Sequence, residues 1–154
     1  MEYMSQEGYD SLVAELHELE SVELPKVREA IAEARDKGDL SENFEYHAAK
    51  RAQARLLSRI SFKQKVLANA RVIDMSRLSA NSVQLLCKVE MTNLASDKKM
   101  TYTIVSPHEA DIHEGKISIK SPIAQALLNK KVGDVVEVRV PAGVMKLRIE
   151  NIQL

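Results

Sequence analysis

Apolar residues recur along the first half of the chain at steps of three and four. Leu12, Leu16 and Leu19 open the series, and Val27, Ala30 or Ile31, and Ala34 continue it. That spacing lays one apolar stripe along an amphipathic helix. Pro25 falls inside the series. It lacks a backbone N–H and its ring presses on the preceding turn, so a kink or short break is expected there. A second series is more regular: Tyr46, Ala49, Gln53, Leu56, Ile60, Lys63, Leu67 and Ala70. Its alternating steps describe a heptad seam interrupted by the polar Gln53 and Lys63. Gly38 lies between the two series, where a helix end calls for a left-handed residue. The pattern predicts a helical hairpin with arms of about 30 residues, roughly 45 Å each at 1.5 Å per residue. Alanines 30, 34, 48, 49 and 52 cluster towards its turn, so the far end should be slender.

Beyond about Asp74 the period changes. SVQLLCKVEM (82–91), KMTYTIV (99–105), DVVEVRV (134–140) and VMKLRIENI (144–152) are rich in apolar and β-branched residues, with partial alternation. KVGD and PAG supply tight turns. SPIAQALLNKK predicts one short helix, with Ser121 as N-cap and Pro122 at its first position. The fold class is therefore α+β: an antiparallel hairpin over residues 1–75, then a small globular β domain over 76–154.

The 22 basic and 22 acidic residues cancel formally but are not evenly spread. Acids dominate from Glu7 to Asp36, whereas no acid occurs from Tyr46 to Ile73, where Lys50, Arg51, Arg55, Arg59, Lys63, Lys65 and Arg71 accumulate. Segments of opposite sign suit antiparallel pairing, and the basic one also offers a positive surface to phosphate. No stretch approaches the roughly 20 apolar residues of a membrane span, and no secretory signal is evident. The single Cys87 makes no intrachain disulfide and excludes a multi-cysteine zinc site. These features point to a cytoplasmic protein.

The turn itself, DKGDLSENFEYHAAK (36–50), carries the candidate chemistry. Asp39 and Glu42 have capping-box spacing, with Asp39 at the N-cap and Glu42 three residues on, and Ser41 is a competing cap. The same two carboxylates could instead share a divalent ion. Mg²⁺ takes oxygen ligands and often only one or two protein carboxylates, the rest of its shell being phosphate and water. Two carboxylates alone would hold it weakly, so a second surface that already carries metal and phosphate would be needed.

Residues 35–50, RDKGDLSENFEYHAAK, closely resemble the tip of the bacterial transcript-cleavage factors of the GreA/GreB family. HEADIHEGKISIKSPIAQALLNKKVGDVVEVRVPAG (108–143) resembles that family's second long motif, in the expected order. The resemblance implies a coiled-coil hairpin joined to an FKBP-like C-terminal domain. It implies that RNA polymerase is the partner and that the hairpin enters the secondary channel. There it would stimulate the polymerase's own cleavage of the nascent RNA 3′ end in backtracked complexes. By the same resemblance, Asp39 and Glu42 retain a shared Mg²⁺ and position water, and Asn43 and Glu45 support the tip. Arg35, Lys50 and Arg51 form a basic patch for the RNA 3′ end. Ser121, Pro122 and Ile123 form the polymerase-docking loop. A monomer that is a cofactor rather than an enzyme, with no membrane partner, is expected.

Two positions depart from the family pattern. Phe44 replaces an alanine at the tip, and Asn129 replaces a glycine, a substitution compatible with a left-handed turn. Other functions stay open: a channel-binding regulator that does not promote cleavage, or an FKBP-like chaperone. Prolyl isomerase activity fits poorly, because Tyr102 is the only aromatic after residue 62.

Overall fold

A computed structural model describes residues 2–38 and 43–154. The chain divides into two compact units, one spanning Tyr9–Ala70 and the other combining Glu2–Gly8 with Arg71–Leu154. Relative to the expected boundary at 75/76, Glu2–Gly8 and Arg71–Met75 group with the globular part.

The first unit is helical. Helix α1 (Gln6–Glu18) runs into a π-helical segment (Leu19–Glu23) and on into α2 (Leu24–Asp36); α3 (Phe44–Asn69) returns. The chain stays helical through Pro25, with right-handed helical dihedrals at Glu18, Glu23 and Leu24, where the sequence predicted a kink or break. The proline ring would press on the carbonyl four residues earlier. Here the Leu24 N–H reaches back five residues to the Leu19 carbonyl, a π turn that makes room for it.

Every position of the second apolar series faces inward. Leu56, Ile60 and Ala70 are buried, and Tyr46, Ala49, Gln53, Lys63 and Leu67 are half-buried. Leu19, Leu24, Leu56 and Ile60 make the core of the hairpin, with Leu16 and Val27 packed against it. Ala34 is buried, Ile31 is half-buried and Ala30 is exposed, which settles the earlier either-or at 30/31. The polar seam residue Lys63 is held by Glu15 at 2.6 Å, and Gln64 donates to Glu20 at 2.9 Å. Partners on α3 advance as those on α1 and α2 recede, which fixes the arms as antiparallel: Gln64 meets Glu20, whereas Asn43 meets Ala34.

In the second unit, β1 (Glu2–Met4) pairs with β2 (Ala70–Val72). A five-stranded sheet has the order β5-β4-β3-β7-β6, built from β3 (Lys88–Asn93), β4 (Lys98–Val105), β5 (Lys116–Ser118), β6 (Val135–Val140) and β7 (Gly143–Gln153). Within this five-stranded sheet only β4–β5 is parallel. Helix α4 (Pro122–Leu127) packs against β6, and Ala124 and Leu127 join Val89, Met91, Ile104, Val138, Leu147 and Ile149 in an aliphatic core. The strand expected at 82–91 begins only at Lys88, because Leu86 adopts φ +73° and turns the chain. Val83 instead bonds to the turn after α4, donating to the Lys130 carbonyl and accepting from the Asn129 N–H. Asn129 takes φ +65°, the left-handed conformation expected where the family has glycine.

The start of α1 is held within this second unit. Ser5 precedes the helix, and its Oγ accepts from the Gly8 N–H at 2.9 Å, as an N-cap does. A capping box would complete this with a Glu at the third helical position, but that residue is Gly8. Glu109 supplies the carboxylate from a distant loop: it accepts from the Ser5 N–H, the Ser5 hydroxyl and, at 3.0 Å, the Ser106 hydroxyl. The Glu109 carboxylate lies where a Cβ on residue 8 would stand, so any side chain at Gly8 would displace it from Ser5.

Candidate functional site

The hairpin tip is built from two helix ends. The C-cap of α2 is Lys37, whose N–H donates to the Ala34 carbonyl at 3.2 Å, and Gly38 follows with φ +145°, a conformation that favours glycine. Helix α3 begins at Phe44 with Asn43 as its N-cap. The Asn43 side chain uses both ends. Its Oδ1 accepts from the Tyr46 N–H at 3.1 Å, and its Nδ2 donates to the Ala34 carbonyl at 2.5 Å. One half-buried amide therefore satisfies an otherwise unpaired donor of α3 and binds the last turn of α2. Glu45, in the first turn of α3, suits the positive end of the helix dipole and pairs with Lys37 at 3.1 Å.

The capping-box spacing of the D-x-x-E pair falls on residues outside the described ones, and the cap that is described at α3 is a different residue. The N-cap of α3 is Asn43 and the third helical position is Tyr46. Asp39, Ser41 and Glu42 themselves lie outside the described residues. Sequence reasoning missed the cap because Ser41 and Asn43 are both competent caps and the apolar period starts only at Tyr46. The amide's second bond, to a carbonyl nine residues back, had no sequence signal.

The basic residues lie on both arms. Arg35 is exposed in the last turn of α2, and Lys50 and Arg51 are exposed in the second turn of α3, about 10 Å along the helix from its start. Among the described residues, no carboxylate forms an ion pair with any of the three. Nor is any group of three or more His, Cys, Asp or Glu side chains placed to hold a metal ion among them.

The loop before α4 is the other predicted surface. Ser121 is the N-cap of α4, its Oγ accepting from the Ala124 N–H at 3.3 Å, and Pro122 is exposed at the helix start. Ile123 is half-buried and packs against the sheet core, so part of its side chain serves the fold. Gln125 donates to the Ile119 carbonyl at 2.7 Å and closes the loop over itself.

Both motif-bearing regions match one family. Residues 2–72 correspond to the family described as "Transcription elongation factor, N-terminal" and residues 78–154 to "Transcription elongation factor, GreA/GreB, C-term". The chain belongs to the GreA/GreB family of transcription elongation factors. Among GreA/GreB relatives, "Transcription elongation factor GreA" of Christiangramia forsetii is 50% identical over 97% of this chain and 95% of its own length. The GreA of Flavobacterium johnsoniae is 47% identical over the same shares. A solved structure of GreA factor homolog 1 (Gfh1) from Thermus thermophilus is similar at 27% identity, covering 99% of this chain and 98% of that one, with a TM-score of 0.45. Among the described residues of this GreA/GreB member, no helix is long and apolar enough to cross a membrane.

Proposed function

We propose that this chain binds RNA polymerase, inserts its hairpin into the secondary channel, and stimulates Mg²⁺-dependent cleavage of the nascent RNA 3′ end in backtracked complexes. It is a non-autonomous cofactor: the polymerase owns the catalysis, and this chain lends side chains to it. Asp39 and Glu42 are the residues assigned to the chemistry. Two carboxylates match the oxygen preference of Mg²⁺, which would supply charge neutralisation at phosphate and an activated water when bound. The carboxylates help retain that ion beside the polymerase's own ligands and orient the attacking water. Arg35, Lys50 and Arg51 receive the RNA 3′ segment, and Ser121, Pro122 and Ile123 dock on the polymerase.

The observation that carries this reading is the Asn43 cap. With α3 capped by Asn43, the helix start does not account for a paired D-x-x-E two residues upstream. Asn43 also joins the two arms, binding the start of α3 to the last turn of α2.

The test is release of short 3′ RNA fragments from stalled, backtracked complexes. Asp39→Ala or Glu42→Ala should lower the stimulated rate by about 10²-fold, the scale on which misplaced reacting groups cost rate, while affinity for polymerase stays the same. Cleavage at the wild-type rate by both variants would overturn the assignment.

A further inference from the structure

Phe44 is the most exposed large apolar side chain among the described residues, at 87%. It occupies the first position of α3, immediately after the Asn43 cap. Steps of four, three and four along α3 lead from Phe44 through Ala48 to Arg51 and Arg55. Residues at this spacing share one helix face, and all four are exposed, opposite the inward series Tyr46, Ala49, Gln53 and Leu56. Arg51 and Arg55 stand about 10 and 16 Å behind the ring along the helix, and the small Ala48 leaves the way between them open.

The charge on this face is one-sided. Glu45 is the only acid in the 26 residues of α3, and Lys37 neutralises it at 3.1 Å. Among the described residues, no carboxylate forms an ion pair with Arg51 or Arg55. An exposed ring heading a row of unneutralised guanidinium groups has the composition that binds single-stranded nucleic acid: the ring takes a base face and the cations take phosphates.

We propose that Phe44 stacks on a base of the extruded RNA 3′ segment, with Arg51 and Arg55 receiving the phosphates behind it. Phe44 is thus a positioning residue that holds the RNA beside the tip carboxylates. Within the basic set this geometry separates Arg51, on the ring's face, from Lys50, roughly a third of a turn away, and adds Arg55. The inference rests on the proposed placement of the hairpin tip at the RNA 3′ end.

The experiment uses the full chain and a backtracked polymerase complex whose extruded RNA carries 2-aminopurine at its 3′ end, with Ca²⁺ replacing Mg²⁺ so that the RNA stays intact. The wild-type protein should quench the probe; Phe44→Trp should quench it equally, and Phe44→Ala and Phe44→Leu should not. In Mg²⁺, Phe44→Ala should raise the factor concentration giving half-maximal cleavage by roughly 5- to 100-fold, the range of one lost stacking contact. On RNA with an abasic 3′ nucleotide, wild type and Phe44→Ala should become equal. A defect that persists on abasic RNA would place the ring against the polymerase protein and overturn the proposal. So would absence of quenching by the wild type, or an Ala variant that behaves as wild type. Quenching without any stimulated cleavage would instead sink the proposed function and leave the stacking standing.

Discussion

Asn43→Ala removes both bonds that join the arms at the tip. The N-cap bond to the Tyr46 N–H is worth about 1 kcal/mol by analogy with other cap-to-Ala changes. The bond to the Ala34 carbonyl adds about 1 kcal/mol, typical of a neutral hydrogen bond. The loss, about 2 kcal/mol, falls on local opening of the tip, because the hairpin core at Leu19, Leu24, Leu56 and Ile60 is formed elsewhere along the arms. Amide hydrogen exchange at Tyr46 and His47 should therefore quicken by about 30-fold, since 1.4 kcal/mol is a factor of ten, while exchange at Ile60 stays unchanged. Asn43→Asp separates the two bonds. It keeps an acceptor for Tyr46, but sets a carboxylate against the Ala34 carbonyl, so its exchange rate should lie between wild type and Ala. Transcript cleavage should fall with tip order, Asn43→Ala below Asn43→Asp below wild type. Exchange at Tyr46 within about twofold of wild type in the Ala variant would refute the two-bond account, since that corresponds to only about 0.4 kcal/mol.

Two further outcomes are expected. Helix propensity alone makes Gly→Ala in a helix stabilising by about 1 kcal/mol, yet Gly8→Ala should destabilise by about 1–3 kcal/mol in urea titrations, because the new methyl displaces Glu109 from Ser5. In a Glu109→Ala background the same change should become stabilising, and failure of that sign reversal would count against the clash. Glu150 has its pKa lowered from the ordinary 4.5, chiefly because Arg148 donates to it at 2.7 Å. Its small contribution to stability is present above that value and lost as pH falls through the lowered one. An NMR titration should place the Glu150 midpoint below 4.5, and Arg148→Met should move it up.

The helical hairpin was legible because its signal is periodic and local. Each of the eight residues from Tyr46 to Ala70 in the three-four series points inward, polar Gln53 and Lys63 included. Lys63 fits there through its ion pair with Glu15, a partner 48 positions away that periodicity does not reveal. The short helix after Ser121 was equally readable, since its cap and its proline lie side by side. Backbone exceptions were not. Leu86 carries an apolar side chain suited to a strand but takes a positive φ, which delays the strand expected at 82–91 until Lys88. At the tip, residue type identified several competent caps, and only the Asn43 bonds decide among them.

The carboxylate that completes the first helix cap comes from Glu109, 104 positions after Ser5. During synthesis the chain therefore exposes Ser5 long before Glu109 exists. The Ser5–Glu109 contact must wait until residue 109 has been made, a contact of high sequence separation and correspondingly slow closure, whereas β1 can already pair with β2 at residues 70–72. Strands β5 to β7 arrive later still. Ser5 thus meets its carboxylate only after the residues of the hairpin and of the β1–β2 pair have been made, and a substitution at Ser5 would act on the loop that carries Glu109.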